Sequence, residues 1–170
     1  MSAVIVPMVI PGTYLKARGS ASEVQKVSDK FYNRVTVLYL LPDEHFAFFA
    51  YRHGYEKTIA AGQWARREER VVLHGVADHR SDYTAANFDK RSFTRRFLVD
   101  HGAAGSTLVD DSLPPWNVLG WAGPLTFLGS RQCVTCADWE LSLCLRWPER
   151  WEDISPWVTA FLARTTITSL

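Results

Sequence analysis

Val35 to Leu73, VTVLYLLPDEHFAFFAYRHGYEKTIAAGQWARREERVVL, is the stretch whose reading decides the fold. It runs strand, tight turn, strand, loop, strand, turn, strand. Leu38 and Leu40 share one face of a strand because side chains alternate with period two. Pro42-Asp43-Glu44 makes the turn, since proline presets φ and an aspartate side chain bonds the turned backbone. Phe46 and Phe48 resume on the next strand, so four apolar side chains line one inner face. Gly62-Gln63-Trp64 opens a third strand, and Arg67 to Glu69 is a charged turn into Val71 and Leu73. The opposite face (Tyr39, His45, Ala47, Phe49) is only partly polar, which predicts an outer surface covered in places. Phe46 to Tyr51 fits neither period cleanly, but its aromatics and the nearby turn signals favour strand. The stretch is an antiparallel meander, and the expected class is mainly β.

A chain of 170 residues suits one domain, here residues 1–170, and buries a sizeable core without staples. Seven Trp, six Tyr and nine Phe are enough large side chains to fill or line a barrel. With 19 basic and 18 acidic residues the chain lacks the basic excess of a nucleic-acid binder. Cys133, Cys136 and Cys144 are too few and too clustered for a secreted disulfide framework. The N-terminus has no basic lead, its apolar run is broken by Pro7 and Pro11, and no run spans a bilayer. The expectation is a cytoplasmic protein with no membrane partner.

Taken in order, Val4 to Ile10 reads as an edge segment between prolines, which leaves room for a homodimer. Gly12 to Arg18 begins the barrel. Ser20 to Lys30 fits either a short helix over the barrel mouth or a continuing strand. His74 to Arg91 reads as a long polar loop, and long ordered loops are often functional. Ser92 to Asp100 returns to alternation with Phe93 and Phe97 on one side. Leu125 to Leu128 and Trp139 to Trp147 supply two more strands. Ser155 as N-cap and Pro156 at the first helical position start a short amphipathic helix through Arg164, with Trp157, Phe161 and Leu162 on one face.

Motifs that carry chemistry are sparse. Cys133-x-x-Cys136 has too few partners for a structural zinc site and no following helix for a redox site, so it reads as ordinary thiols. His74, Asp78 and His79 are ligand types, but on a helix the two imidazoles would diverge by roughly 140° at about 100° per residue. In a loop the spacing carries no meaning. No metal and no cofactor are expected, and no phosphate loop, metalloprotease or nucleophile-elbow pattern occurs.

The motifs Gly12-x-Tyr14, Leu38-x-Leu40-x-x-Asp43-x-x-Phe46, Gly62-x-Trp64 and Val71-x-Leu73 are similar to those of small bacterial lipocalin-like barrels of the calycin type. The likeness covers Pro11 to Leu73, and it departs at Glu44, where the turn usually carries glycine. It implies one closed or nearly closed antiparallel barrel with an internal cavity and a helix packed outside. Tyr14, Phe46, Phe48, Trp64 and Phe97 are then the candidate ligand-binding set, with Trp64 also read as the residue that seals an end. Strand counting places the Ser20 to Asn33 and His74 to Arg91 excursions over one mouth, with Phe31, Tyr32, His74 and Tyr83 near the opening. The leading functional expectation is binding of a small apolar or aromatic molecule. The alternatives are a cofactor-independent cyclase or isomerase acting on a polyene or polyketide-type substrate, and an inhibitor or immunity barrel that binds a protein.

Overall fold

The computed structural model describes residues 11–17, 34–52, 56–81, 88–102, 105–110, 124–133, 148 and 150–164. Eight strands follow in order: β1 (Gly12–Ala17), β2 (Arg34–Leu40), β3 (His45–Arg52), β4 (Glu56–Arg67), β5 (Arg70–Ser81), β6 (Phe88–Gly102), β7 (Gly105–Asp110) and β8 (Leu125–Gly129). Each pairs antiparallel with the next, and β1 pairs with β8, so the sheet closes into a barrel. A cross-strand row leaves Asp100 through Thr107, Thr126, Leu15, Val37, Phe49 and Ile59 to Asp78, whose carboxylate meets the Lys90 amide. The row thus returns to β6 about ten residues from its start, the stagger that tilts the strands of a closed barrel.

Alternation sorts the strands into two apolar clusters. Tyr14, Leu38, Leu40, Phe46, Phe48, Ala60, Val71, Leu73, Phe93, Phe97, Leu108 and Leu125 belong to one. They come from all eight strands, and only the lumen brings eight strands to one place. Leu15, Val37, Tyr39, Ala47, Phe49, Ile59 and Ala61 form the other, with Ile154, Trp157, Val158 and Phe161 of a helix, α1 (Ile154–Ala163). The helix lies against the outer wall, where Ala47 and Ala61 let it approach and Trp157 stacks on Phe161 with ring centroids 5.2 Å apart. Burial of both faces from Phe46 to Ala50 explains why this strand obeys neither simple period.

The turn at Glu44 is solved without glycine. Glu44 N donates to Leu41 O (3.2 Å), Leu41 N donates to His45 O (2.9 Å), and Glu44 takes a left-handed φ of 68°. This is the three-residue hairpin, in which a left-handed third residue makes the bulge. Asp43 locks it: its carboxylate accepts from His45 N (3.1 Å) and from the Ser155 hydroxyl (2.9 Å), tying the turn to α1.

Where β4 meets β5 beside the Phe46 ring, the pairing requires glycine. Gly62 faces Gly75 across the pair, and a methyl on Gly75 would strike Ala61 O and sit 2.8 Å from Phe46 Cζ. The glycines let the sheet bend and leave the space that the Phe46 ring fills.

Three expectations are corrected. Residues 74–91 are not one loop: β5 continues through Ser81 and β6 starts at Phe88. The third meander strand opens at Glu56, six residues before Gly62. The helix begins at Ile154 with Asp153 as its cap residue, preceded by a 3-10 turn, Trp151–Asp153. Ser155 therefore lies in the first turn and spends its hydroxyl on Asp43. Val4 to Ile10, Ser20 to Asn33 and Trp139 to Trp147 lie outside the described residues. Among those described, no helix is long and apolar enough to cross a membrane.

Two measurements check these contacts. Gly75→Ala should lower stability by about 2 kcal/mol, as overpacking against backbone does, read as a lower urea midpoint with unchanged slope. Partial burial pushes the Asp43 carboxyl up, but the His45 amide, the Ser155 hydroxyl and the His45 imidazole outweigh it and hold the pKa below its ordinary value. A depressed carboxyl stabilises the fold above its unfolded pKa, and that stability is lost as pH falls below about 4. Asp43→Asn should flatten the acid limb of a stability-versus-pH profile below that point.

Candidate functional site

The lumen is graded along its axis. Toward the short turns joining β2 to β3 and β4 to β5, it is packed with large side chains: Leu40, Phe46, Leu73, Phe97 and Leu108 are fully buried. Phe46 meets Phe93 edge to face at 6.0 Å. Trp64 packs against this part of the cluster. Its indole Nε1 donates to Leu41 O (2.9 Å) and its backbone N to Glu44 O (2.8 Å), so the turn holds the ring in place. Toward the opposite end, the inward positions of β2 to β5 turn small and polar: Thr36, Ala50, Thr58, Ala60, Ala77 and His79, all buried. Thr58 Oγ1 and His79 Nδ1 share a hydrogen bond of 2.8 Å across the β4–β5 pair.

Two further polar groups stand inside. Tyr14 is fully buried beside Phe127, ring centroids 5.3 Å apart, and burial pushes its phenol up to about 12. It is thus a neutral hydroxyl at any ordinary pH. Arg95 sits between Phe93 and Phe97 on β6, 1% exposed, and its Nη2 lies 3.2 Å from Asp110 Oδ2 on β7. Burial pulls the guanidinium's pKa down from its ordinary value, and the Asp110 carboxylate opposes that pull.

The candidate ligand set divides accordingly. Tyr14, Phe46, Phe48 and Phe97 all belong to the lumen cluster, and Trp64 packs against it at the turn end. His74 stands elsewhere: it is exposed in the middle of β5, on the outer wall, with Nδ1 2.9 Å from Thr94 Oγ1. It moves away from the mouth because residues 74–81 are strand, and alternation sends it outward. The same alternation separates His79, inside, from His74 and Asp78, outside. Asp78 accepts from Lys90 N at the irregularity in the β5–β6 pairing, and Lys90 Nζ reaches Phe161 O (3.5 Å) at the helix end. The chain ends at Ala17, Arg34, Ser81 and Phe88 do share one end of the barrel, as the strand count required. Phe31, Tyr32 and Tyr83 lie outside the described residues.

Arg95, Asp110, Thr58 and His79 are the lumen groups that sequence reading missed. The signal for Arg95 was present: in Phe93-x-Arg95-x-Phe97 the period that buries both rings also buries the guanidinium. Cys133 makes a thiol contact to Pro148 O (3.3 Å) and lies 3.7 Å from the Tyr39 hydroxyl, a packing role at the outer wall. Among the described residues no group of three His, Cys, Asp or Glu is placed to hold a metal ion. Comparison with protein-family models, curated proteins and solved structures finds nothing that matches this chain.

The ion pair gives a sharp expectation. Asp110→Ala should cost about 3–5 kcal/mol, because it takes the carboxylate away from a buried guanidinium, whereas Arg95→Met with Asp110→Leu should be near neutral. A double-mutant cycle by urea unfolding measures both.

Proposed function

We propose that the barrel binds one small apolar or aromatic molecule in its lumen, seated against the small-residue wall of β2 to β5. The observation that supports this is the grading itself. Thr36, Ala50, Thr58, Ala60 and Ala77 occupy positions that hold Leu, Phe and Trp further down the same strands. Eight strands enclose a lumen just wide enough to be filled by side chains or by one ligand, so small side chains favour the second outcome locally. Ligand sites combine an apolar lining with a few placed polar groups, and Tyr14, the Thr58–His79 pair and the Arg95–Asp110 pair are such groups. The motif likeness to lipocalin-like barrels between Pro11 and Leu73 points the same way.

A second reading rests on the Thr58–His79 pair. An imidazole held by a hydroxyl, with the neutral Tyr14 phenol in the same lumen, is an acid–base set suited to a cofactor-independent cyclase or isomerase. His79→Gln separates the two, since it spares binding and removes turnover only if the protein is an enzyme.

Binding is tested with the uncharged fluorophore N-phenyl-1-naphthylamine. The wild-type chain should bind it saturably, and Ala60→Phe or Ala77→Leu should weaken binding by about tenfold or more while keeping the far-UV circular dichroism of a barrel. Equal affinity in folded filling variants would remove the lumen as the site.

A further inference from the structure

One histidine stands on the small-residue wall of the lumen. His79 is 3% exposed and ends the cross-strand row Thr36, Ala50, Thr58, His79. Its Nδ1 shares a 2.8 Å hydrogen bond with Thr58 Oγ1. Resting on the reading of the lumen as a ligand site, we propose that His79 makes the charge of the accepted guest depend on pH. With the imidazole neutral, the lumen prefers uncharged aromatic molecules. With it protonated, the preference passes to aromatic anions that carry a carboxylate or sulfonate.

The Thr58 hydroxyl permits both states of the ring. A hydroxyl donates to a neutral ring nitrogen or accepts from a protonated one, so the bond survives the change of charge. The other groups around His79 hold their state. Register sets Thr58 and Phe88 opposite it and Arg91 opposite Ala77, with Asp89 and Lys90 between those two on β6. Arg34, Arg52, Glu56 and Ser81 form the next row toward the strand ends, and Asp78 and Arg80 flank His79 at outer-face positions of β5. Deeper in the lumen stand the Arg95–Asp110 pair and Tyr14, whose phenol burial pushes up to about 12. Arginine keeps its charge throughout, and carboxylates ordinarily titrate near 4. Between about pH 5 and pH 8 the side chain suited to change charge is histidine. Of the other four, His45 lies at the β2–β3 turn, His74 on the outer wall, and His101 at the β6–β7 hairpin opposite Ser106. His53 lies outside the described residues.

The guest decides what each charge state costs. An uncharged guest seated on the small-residue wall displaces water from a ring that is already enclosed. A charged ring deprived of water is disfavoured, so such a guest binds the neutral imidazole better. A guest anion instead brings an opposite charge beside the ring and favours the imidazolium. The coupling is reciprocal: whatever a guest does to the affinity of His79 for its proton, the proton does to the affinity for that guest.

The probes are N-phenyl-1-naphthylamine and 8-anilinonaphthalene-1-sulfonate, the same ring system without and with a permanent negative charge. Fluorescence titrations of the full chain are run at about pH 5 and about pH 8, with circular dichroism confirming the barrel at both. From the higher pH to the lower, the uncharged probe should bind about fivefold more weakly and the sulfonate about fivefold more tightly. His79→Gln should remove both trends, whereas His45→Gln, His53→Gln, His74→Gln and His101→Gln should keep them. If His79→Gln does not fold, the titration of the His79 ring followed by NMR in the wild-type chain decides. Its midpoint should fall with the uncharged probe bound and rise with the sulfonate bound. Parallel trends for the two probes, divergence retained in folded His79→Gln, or a midpoint that both probes move the same way would overturn the proposal. Absence of saturable binding of the uncharged probe at the higher pH would remove the lumen reading itself, whereas binding without divergence removes this inference alone.

Discussion

Closure of the sheet is the constraint on which the rest of the structure depends. Once β1 pairs with β8, every strand must offer one face to a common lumen, and no strand edge is left open in that ring. β1 to β4 bury outer positions as well, Leu15, Val37, Tyr39, Ala47, Phe49, Ile59 and Ala61, in the cluster that includes α1. Two-sided burial makes register costly to change: a slip of one residue would exchange the lumen set Leu38, Phe46 and Phe48 with the outer set Tyr39, Ala47 and Phe49. Both sets are apolar, so composition alone does not choose between them. Size does. Ala47 and Ala61 fit beneath the helix, and Phe46 fits the gap left by Gly62 and Gly75.

The helix is joined to the barrel by polar contacts at both ends as well as by its apolar face. Asp43 in the β2–β3 turn accepts from Ser155 at the start of α1, and Lys90 of β6 reaches Phe161 O near its end while its ammonium lies 5.6 Å from the Phe161 ring centre. A cation at a helix C-terminus is favourable through the backbone dipole and the open carbonyls. Each contact also stabilises an irregular backbone position, Glu44 at one end and Lys90 at the other, both with positive φ. The strain of two non-glycine left-handed residues is thus placed where side-chain contacts hold the conformation.

Legibility in the sequence followed from how strongly each segment's residue types favour a pleated surface. From Val35 to Tyr51, β-branched and aromatic residues made both strands and the turn readable. The first half of β4, Glu56 to Ala61, was not, since Glu, Lys and Ala favour strands weakly and pairing with Ala47 to Arg52 and Val76 to Ser81 brings them into the sheet. Residues 74–81 failed for another reason. His74, Asp78 and His79 look like loop polarity, but each is absorbed by a partner that sequence cannot place: Thr94, the Lys90 amide and Thr58. The lumen aromatics were readable from alternation, whereas the Arg95–Asp110 pair needed the register that sets Phe97 opposite Asp110.

The Arg95–Asp110 pair bears on function through what it does not do for the fold. Removing two charges from water costs several kcal/mol per ion after relaxation, and the attraction between the paired charges offsets that cost only where geometry and hydrogen bonding are excellent. Packed apolar residues at the same two positions would complete the aromatic lumen at no such cost, and Phe93 and Phe97 on either side show that the environment accepts them. The pair is therefore a poor device for stability and a good one for direction. It sets a fixed dipole inside a low-dielectric enclosure, where each hydrogen bond counts for more than at the surface.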